Sequence, residues 1–371
     1  MALALPVTHP PSRLEDPAPS HRAIVKEMAL YAKPDTVKGS MLFLMDFALY
    51  WTAILAVLFV PNLGLKLLAS VFAGIKLANL ATLAHDAAHN SLTASRRLNW
   101  WLGVLAFMPC LFNYRLWVYD HHALHHPHTN GDHVDSYKPL SKEAYDALST
   151  TGKWWYRFSR SSNPLAFGTY YIIQRWWQVK FMPRAFLPQD RQRSAWLHFA
   201  FLCVYAVVFV GALIAAPLFA PISVMTALLL GFVLPFFVFQ SLLAFSLYVN
   251  HTHPDIPWFA EGSSMKARIP PEAMTVHLKF PAWMAHLAHN FYDHAAHHVY
   301  PAIPCYELGR AQARLNELLG ANALVVGFSF RTLGMIFTKC KLYDYTNFRW
   351  LDFEGKPTTE APRIVLQHLN H

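Results

Sequence analysis

Four stretches of the chain run for about 20 residues with few polar interruptions, the length a helix needs to cross the hydrocarbon core of a bilayer. They cover residues 41–60, 65–84, 196–219 and 222–249. The first two are joined by "PNLG" and the last two by a turn around Pro217 and Pro221, so they pair as two helical hairpins. A further apolar run at 98–112, "LNWWLGVLAFMPCLF", is too short to cross and reads as a re-entrant or interfacial helix. The pattern predicts an all-α integral membrane protein: four transmembrane helices, this short helix, and a helical cytosolic cap built from the more polar segments. Residues 1–25, rich in Pro and without a long apolar core, are expected to be a flexible tail with no cleaved signal peptide. Residues 26–350 form a single membrane domain in this reading, and 351–371 a C-terminal tail.

Composition agrees. Only 14% of residues are charged and 54% are hydrophobic, whereas a soluble domain carries about a quarter charged residues. The net charge of +9 does not indicate nucleic acid, because the basic residues are dispersed between apolar runs. Nearly all of the 31 Lys and Arg lie in the N-terminal tail, in residues 96–193, or after residue 260. The positive-inside rule puts those segments, and both termini, in the cytoplasm. Tryptophan pairs at Trp100–Trp101, Trp154–Trp155 and Trp176–Trp177 suit helices lying at headgroup level. Cys110, Cys203, Cys305 and Cys340 are widely spaced and form no CxxC pair, which excludes an iron–sulfur, zinc-ribbon or disulfide framework. Asp46 and Lys76 stand as lone charges within spans one and two, read as an interior-facing acid and a snorkelling lysine.

The chemistry lies in the 21 histidines, which are clustered. "HDAAH" puts His85 and His89 four residues apart, on one helical face. In "DHHALHHPHTN", His122, His125 and His126 give HxxHH, while His121 offers a competing register. "HAAHH" repeats HxxHH with His294, His297 and His298. Any one cluster reads equally well as polar surface. Together they supply eight imidazoles, more than a single four- to six-coordinate ion uses, so two metals follow. Imidazole alone does not select among Zn, Cu, Fe and Ni. After span four, "HTHP" brings His251 and His253 to the membrane depth of His85 and His89, and the two compete for one further ligand position. His289 and then His128 are additional candidates. His9, His21, His133, His198, His277, His286, His368 and His371 have no spacing partner. Asp86, Asp135 and Asp293 stand where a carboxylate would orient a ligand imidazole. A metal transporter would instead carry ionisable ligands inside its spans.

These boxes, in this order and with four spans between and around them, resemble the membrane fatty-acid desaturase superfamily, which also contains carotenoid ketolases and hydroxylases. The "P-x-I-P-x-Y-x-L" run from Pro301 to Leu308 adds to the likeness, which covers roughly residues 40–320. The resemblance implies two iron ions, O2 as co-substrate, and His85, His89, His122, His125, His126, His294, His297 and His298 as ligands. It implies a fatty acid or fatty-acyl substrate from the lipid bilayer, with desaturation first. Oxidative decarboxylation of a free fatty acid to a terminal alkene comes next, then hydroxylation or ketolation. Arg115, Arg157, Arg160 or Arg175 would hold an acidic head group. The sequence shows no haem-binding HPGG, cysteine array or GxGxxG. Electrons are therefore expected from a separate ferredoxin, rubredoxin or cytochrome with its reductase. The expected location is a bacterial inner membrane, with the boxes on the cytoplasmic side.

Overall fold

The computed structural model describes residues 19–131, 136–183 and 186–369. Within them four helices are long and apolar enough to cross a membrane: Thr36–Phe59, Leu63–Ala88, Gln189–Leu218 and Val224–His251. The first two and the last two are joined by short turns, giving two hairpins. The first two spans begin before their apolar windows because capping residues, rather than hydropathy, set their starts. Asp35 and Asn62 accept from the backbone N–H of Lys38 and Leu65, each at 3.0 Å, satisfying donors that a helix start leaves open. Lys66 folds back so that its Nζ donates to the carbonyls of Val57 (2.6 Å) and Leu58 (3.2 Å). A cation is favoured against those last carbonyls of span one, where the helix dipole is negative.

The second span is the most buried of the four and the third the least. Gly74 explains how closely the second and fourth spans approach. A Cβ there would lie 2.6 Å from Val238 Cβ and 2.7 Å from the Pro235 carbonyl, so no larger residue fits without spreading them. The fourth span contains a π-helical turn, Leu229–Val233, just before Pro235. Proline lacks an N–H and its ring crowds the preceding turn, which widens the helix there. The run at 98–112 forms a helix at Arg96–Phe107 and then turns. Its Asn99 side chain bonds Thr93, and the Cys110 thiol donates to the Leu77 and Ala106 carbonyls at 3.4 Å.

Asp46 and Lys76 are not lone charges. Lys76 Nζ donates to Asp46 Oδ1 at 2.8 Å across the first hairpin, with both side chains buried. The two residues are 30 positions apart, so only the antiparallel pairing of the spans brings them together.

The remaining helices cover one end of the bundle, with two small sheets among them. His277–Lys279 pairs in parallel with Val325–Gly327, and Leu342–Asp344 pairs antiparallel with Arg349–Leu351. A helix from His21 to Met28 starts inside the expected N-terminal tail and buries Ile24 and Met28. At the other end the Arg363–Leu369 helix buries Val365, and Trp350 is fully enclosed, its indole N–H donating to the His253 carbonyl.

Candidate metal centre

Three segments bring the histidines together. The second span ends on His85 and His89, whose rings lie 4.8 Å apart. The second segment is a π-helix, Asp120–His125, continued by His126–His128. The third is a short helix, His294–Val299, buried throughout.

The π-helix sets which way the histidines of the second box face. Its i→i+5 pattern, seen in the His126 N–H bonding the His121 carbonyl, rotates successive side chains less far apart than an α-helix does. His121 consequently joins His126, with Nε2 atoms 3.0 Å apart. His121 also stacks on Trp117 at 4.4 Å. His122 stays beside the first group, its ring 4.3 Å from that of His89; among the described residues its buried Nε2 has no hydrogen-bond partner.

The result is two groups of four nitrogen donors, each within 4.8 Å of one another. One comprises His85, His89, His121 and His297; the other comprises His125, His251, His294 and His298. His126 lies between them. Its Nε2 is 3.0 Å from that of His121, 3.2 Å from His297 and 3.4 Å from His89, and its ring packs 4.9 Å from His298.

This donor set fits metal ions. A hydrogen bond between two imidazoles uses one proton, so one ring N–H cannot serve the three Nε2 atoms around His126. Convergent lone pairs on a cation satisfy them all. The outer nitrogens support that tautomer. His85 Nδ1 lies 3.0 Å from Asp86 Oδ1, His251 Nδ1 3.3 Å from the Met274 carbonyl, and His298 Nδ1 3.4 Å from Thr129 Oγ1. An Nδ1–H donated outward leaves the Nε2 lone pair facing in. Asp86 is itself fixed, because its second oxygen accepts the Cys305 backbone N–H. Burial, reinforced by neighbouring imidazoles, holds His121, His294, His297 and His298 well below the usual histidine range and pushes His126 down to about 2. These rings stay neutral at physiological pH and available as ligands.

Of the two histidines after span four, the geometry brings His251 in, its Nε2 3.1 Å from that of His294. His253 turns away to Asp255. His289 Nε2 bonds Asp46 in the membrane rather than either group. His128 is outside both groups. Asp293 pairs with His277 at 2.9 Å, and His21 pairs with Glu272. His198 packs against Trp100 and Tyr114, while His286 and His368 bond the carbonyls of Ala282 and Ile364. His9, His133, Asp135 and His371 fall outside the described residues.

A cavity of about 320 Å³ opens beside the histidines. His85, His121, His125 and His294 form one part of its wall, and Ala78, Thr82, Phe239 and Leu243 carry it down between the second and fourth spans. Trp283 and Leu287, both exposed, stand on its outer side. Among the four arginines considered from sequence, Arg175 lines the cavity, 3.7 Å from Asp120. Arg115 is exposed, Arg157 donates to the Tyr145 hydroxyl, and Arg160 is buried against the Tyr137 carbonyl. Asp120 and Lys180, which form an ion pair on the same wall, were not singled out from sequence. The only signal was the position of Asp120, directly before His121.

Four membrane-crossing helices, closed at one end by paired four-histidine groups above an apolar cavity, define an integral membrane protein with a multi-histidine centre. The chain belongs to the fatty acid desaturase family, a family of oxidoreductases, whose sequence pattern matches residues 61–330. It is 30% identical over 283 residues to the sn-1 oleoyl-lipid 12-desaturase of Synechocystis, covering 74% of this chain and 75% of that protein. It is 28% identical over 307 residues to the chloroplastic omega-6 fatty acid desaturase of Spinacia oleracea, covering 80% of this chain but 65% of that protein. A third relative, the sn-1 acyl-lipid omega-3 desaturase (ferredoxin) of Synechocystis, is 28% identical over 248 residues, 65% of each chain.

Proposed function

We propose that the protein is a membrane-bound, iron-dependent oxidoreductase that desaturates a fatty-acyl chain with O2. The observation that carries this reading is the opening of both histidine groups onto one apolar cavity between the second and fourth spans. The balanced reaction is R–CH2–CH2–R′ + O2 + 2 e⁻ + 2 H⁺ → R–CH=CH–R′ + 2 H2O. A methylene C–H bond is inert to side-chain acids and bases, and two bound irons would supply the oxidant that breaks it. His85, His89, His121, His126 and His297 would hold one ion; His125, His251, His294 and His298 would hold the other. The chain's own contribution is placement. Phe239, Leu243 and Ala78 bind the acyl chain by burial, while Phe291 and Trp117 close the wall around the histidines and keep water from the reacting carbons.

Electrons would come from a separate carrier of the ferredoxin class, as the name of one Synechocystis relative indicates for that protein. The basic segments support a cytoplasmic histidine end, by the positive-inside rule.

One observation favours a second reading. Lys180 and Arg175 gather about Asp120 beside His121, at the cavity wall. A free fatty acid with its carboxylate there would present its first carbons to the metals and lose CO2: R–CH2–CH2–COOH + O2 + 2 e⁻ + 2 H⁺ → R–CH=CH2 + CO2 + 2 H2O. Incubating iron-loaded protein with labelled free fatty acids and acyl lipids, O2, ferredoxin and its reductase separates these outcomes. An internally unsaturated product supports desaturation and a terminal alkene with labelled CO2 supports the second reading. Absence of any O2-dependent acyl product refutes both.

A further inference from the structure

The buried Asp46 carboxylate does more than neutralise Lys76. Its Oδ1 accepts from Lys76 Nζ at 2.8 Å and its Oδ2 accepts from His289 Nε2, with Asn79 Nδ2 3.5 Å from Oδ1. All four side chains are buried, and an acid and a base within a membrane span persist only when paired. The bond to His289 joins the first hairpin to a loop outside it, 243 residues along the chain. That loop is tightly shaped: His289 and Asn290 both adopt left-handed backbone, with φ of 50° and 55°, a conformation that persists only where surrounding contacts impose it.

Immediately beyond comes Phe291. Its ring lies 6.2 Å from that of His85 and 5.8 Å from that of His294, one histidine from each group, and it lines the cavity. Tyr292 follows, also on the cavity wall, with its hydroxyl 3.1 Å from Ser246 Oγ.

We propose that Asp46, Lys76 and His289 form a positioning triad that holds Phe291 against both histidine groups and so fixes which acyl carbon faces them. This rests on the acyl-oxidation reading. Asp46, Lys76 and His289 do not line the cavity, whereas Phe291 does, so they act through Phe291.

The test uses the full chain in lipid nanodiscs and compares His289→Ala, Asp46→Asn and the rescue variant His289→Gln, whose amide still donates to Asp46. Two readouts are taken. In the first, fatty acids spin-labelled at successive carbons are bound to metal-free protein, and electron paramagnetic resonance locates the most immobilised carbon. In the second, iron-loaded protein is turned over and the oxidised carbon is mapped. His289→Ala and Asp46→Asn are expected to spread both profiles over neighbouring carbons and lower kcat by about 10- to 100-fold at unchanged KM, with wild-type iron content. His289→Gln restores the wild-type profile. Wild-type profiles in His289→Ala overturn the proposal, even if its melting temperature falls. Should neither disrupting variant fold, Phe291→Ala, which keeps the triad, takes their place, and unchanged profiles there also overturn it. If wild-type protein yields no oxidised acyl product, the functional reading fails, while the spin-label profile still decides the positioning.

Discussion

His121 Nε2 lies 3.0 Å from His126 Nε2 and belongs to a group of four converging donors, whereas neighbouring His122 belongs to neither such group among the described residues. One π turn separates these two fates. The adjacent imidazoles should therefore differ in their effect on metal content. His121→Ala is expected to lower iron from the two ions proposed per chain toward one and to abolish turnover. His122→Ala should keep both. Iron analysis of purified protein checks this, and equal loss in the two variants would refute the assignment.

Asp86 accepts from His85 Nδ1 at 3.0 Å and is otherwise held by the Cys305 N–H. Asp86→Asn keeps the shape but replaces the charged acceptor. A loss of about 10- to 100-fold in metal affinity is expected, as for other partners that orient a ligand imidazole. Competition with a graded series of chelators measures it.

Acid should destabilise the metal-free protein through the buried histidines. His126 is held down to about 2 in the fold by burial and its imidazole neighbours, against about 6.5 in an unfolded chain. Between those values the unfolded chain binds a proton that the folded one refuses, so stability is full above about 6.5 and falls as pH drops below it. His121, His294, His297 and His298 add in the same direction. The melting temperature of chelator-treated protein should fall steadily from pH 7 to pH 5. A flat profile would mean that these rings are accessible to protons in the fold.

Ala78 lines the cavity two helical turns below His85, at about 10 Å by helix rise. Ala78→Phe should shorten the space for the acyl chain. The expected result is a drop of about tenfold or more in kcat/KM for long chains relative to short ones. Parallel turnover of a chain-length series checks it, and an unchanged preference would place the acyl tail elsewhere.

The membrane architecture was legible in the sequence because it depends on a local quantity, the apolar run of each span. The histidine boxes were legible for a similar reason: i, i+3 and i+4 spacing is a one-dimensional signature of a shared helical face. What could not be read depends on packing between distant elements. The approach of His121 to His126 follows from a π turn, whose hydrogen bonds no residue preference announces. The choice of His251 over His253 depends on where span four ends against the His294–Val299 helix. The pairing of Asp46 with Lys76 and His289 requires a hairpin and a returning loop, so each residue looked solitary along the chain. The charged wall formed by Asp120, Lys180 and Arg175 was hidden for the same reason.

The approach of His85 Nε2 to His297 Nε2, 3.1 Å apart, joins residues 212 positions apart, and this bears on how the molecule is made. A ribosome that has released all four spans has still not delivered the last box, which begins at His294. Up to that moment the nascent chain sits in its bilayer with only part of either histidine group. Closure of both groups therefore waits until the last box has emerged, and a truncation just before His294 would leave an inserted bundle with neither group complete.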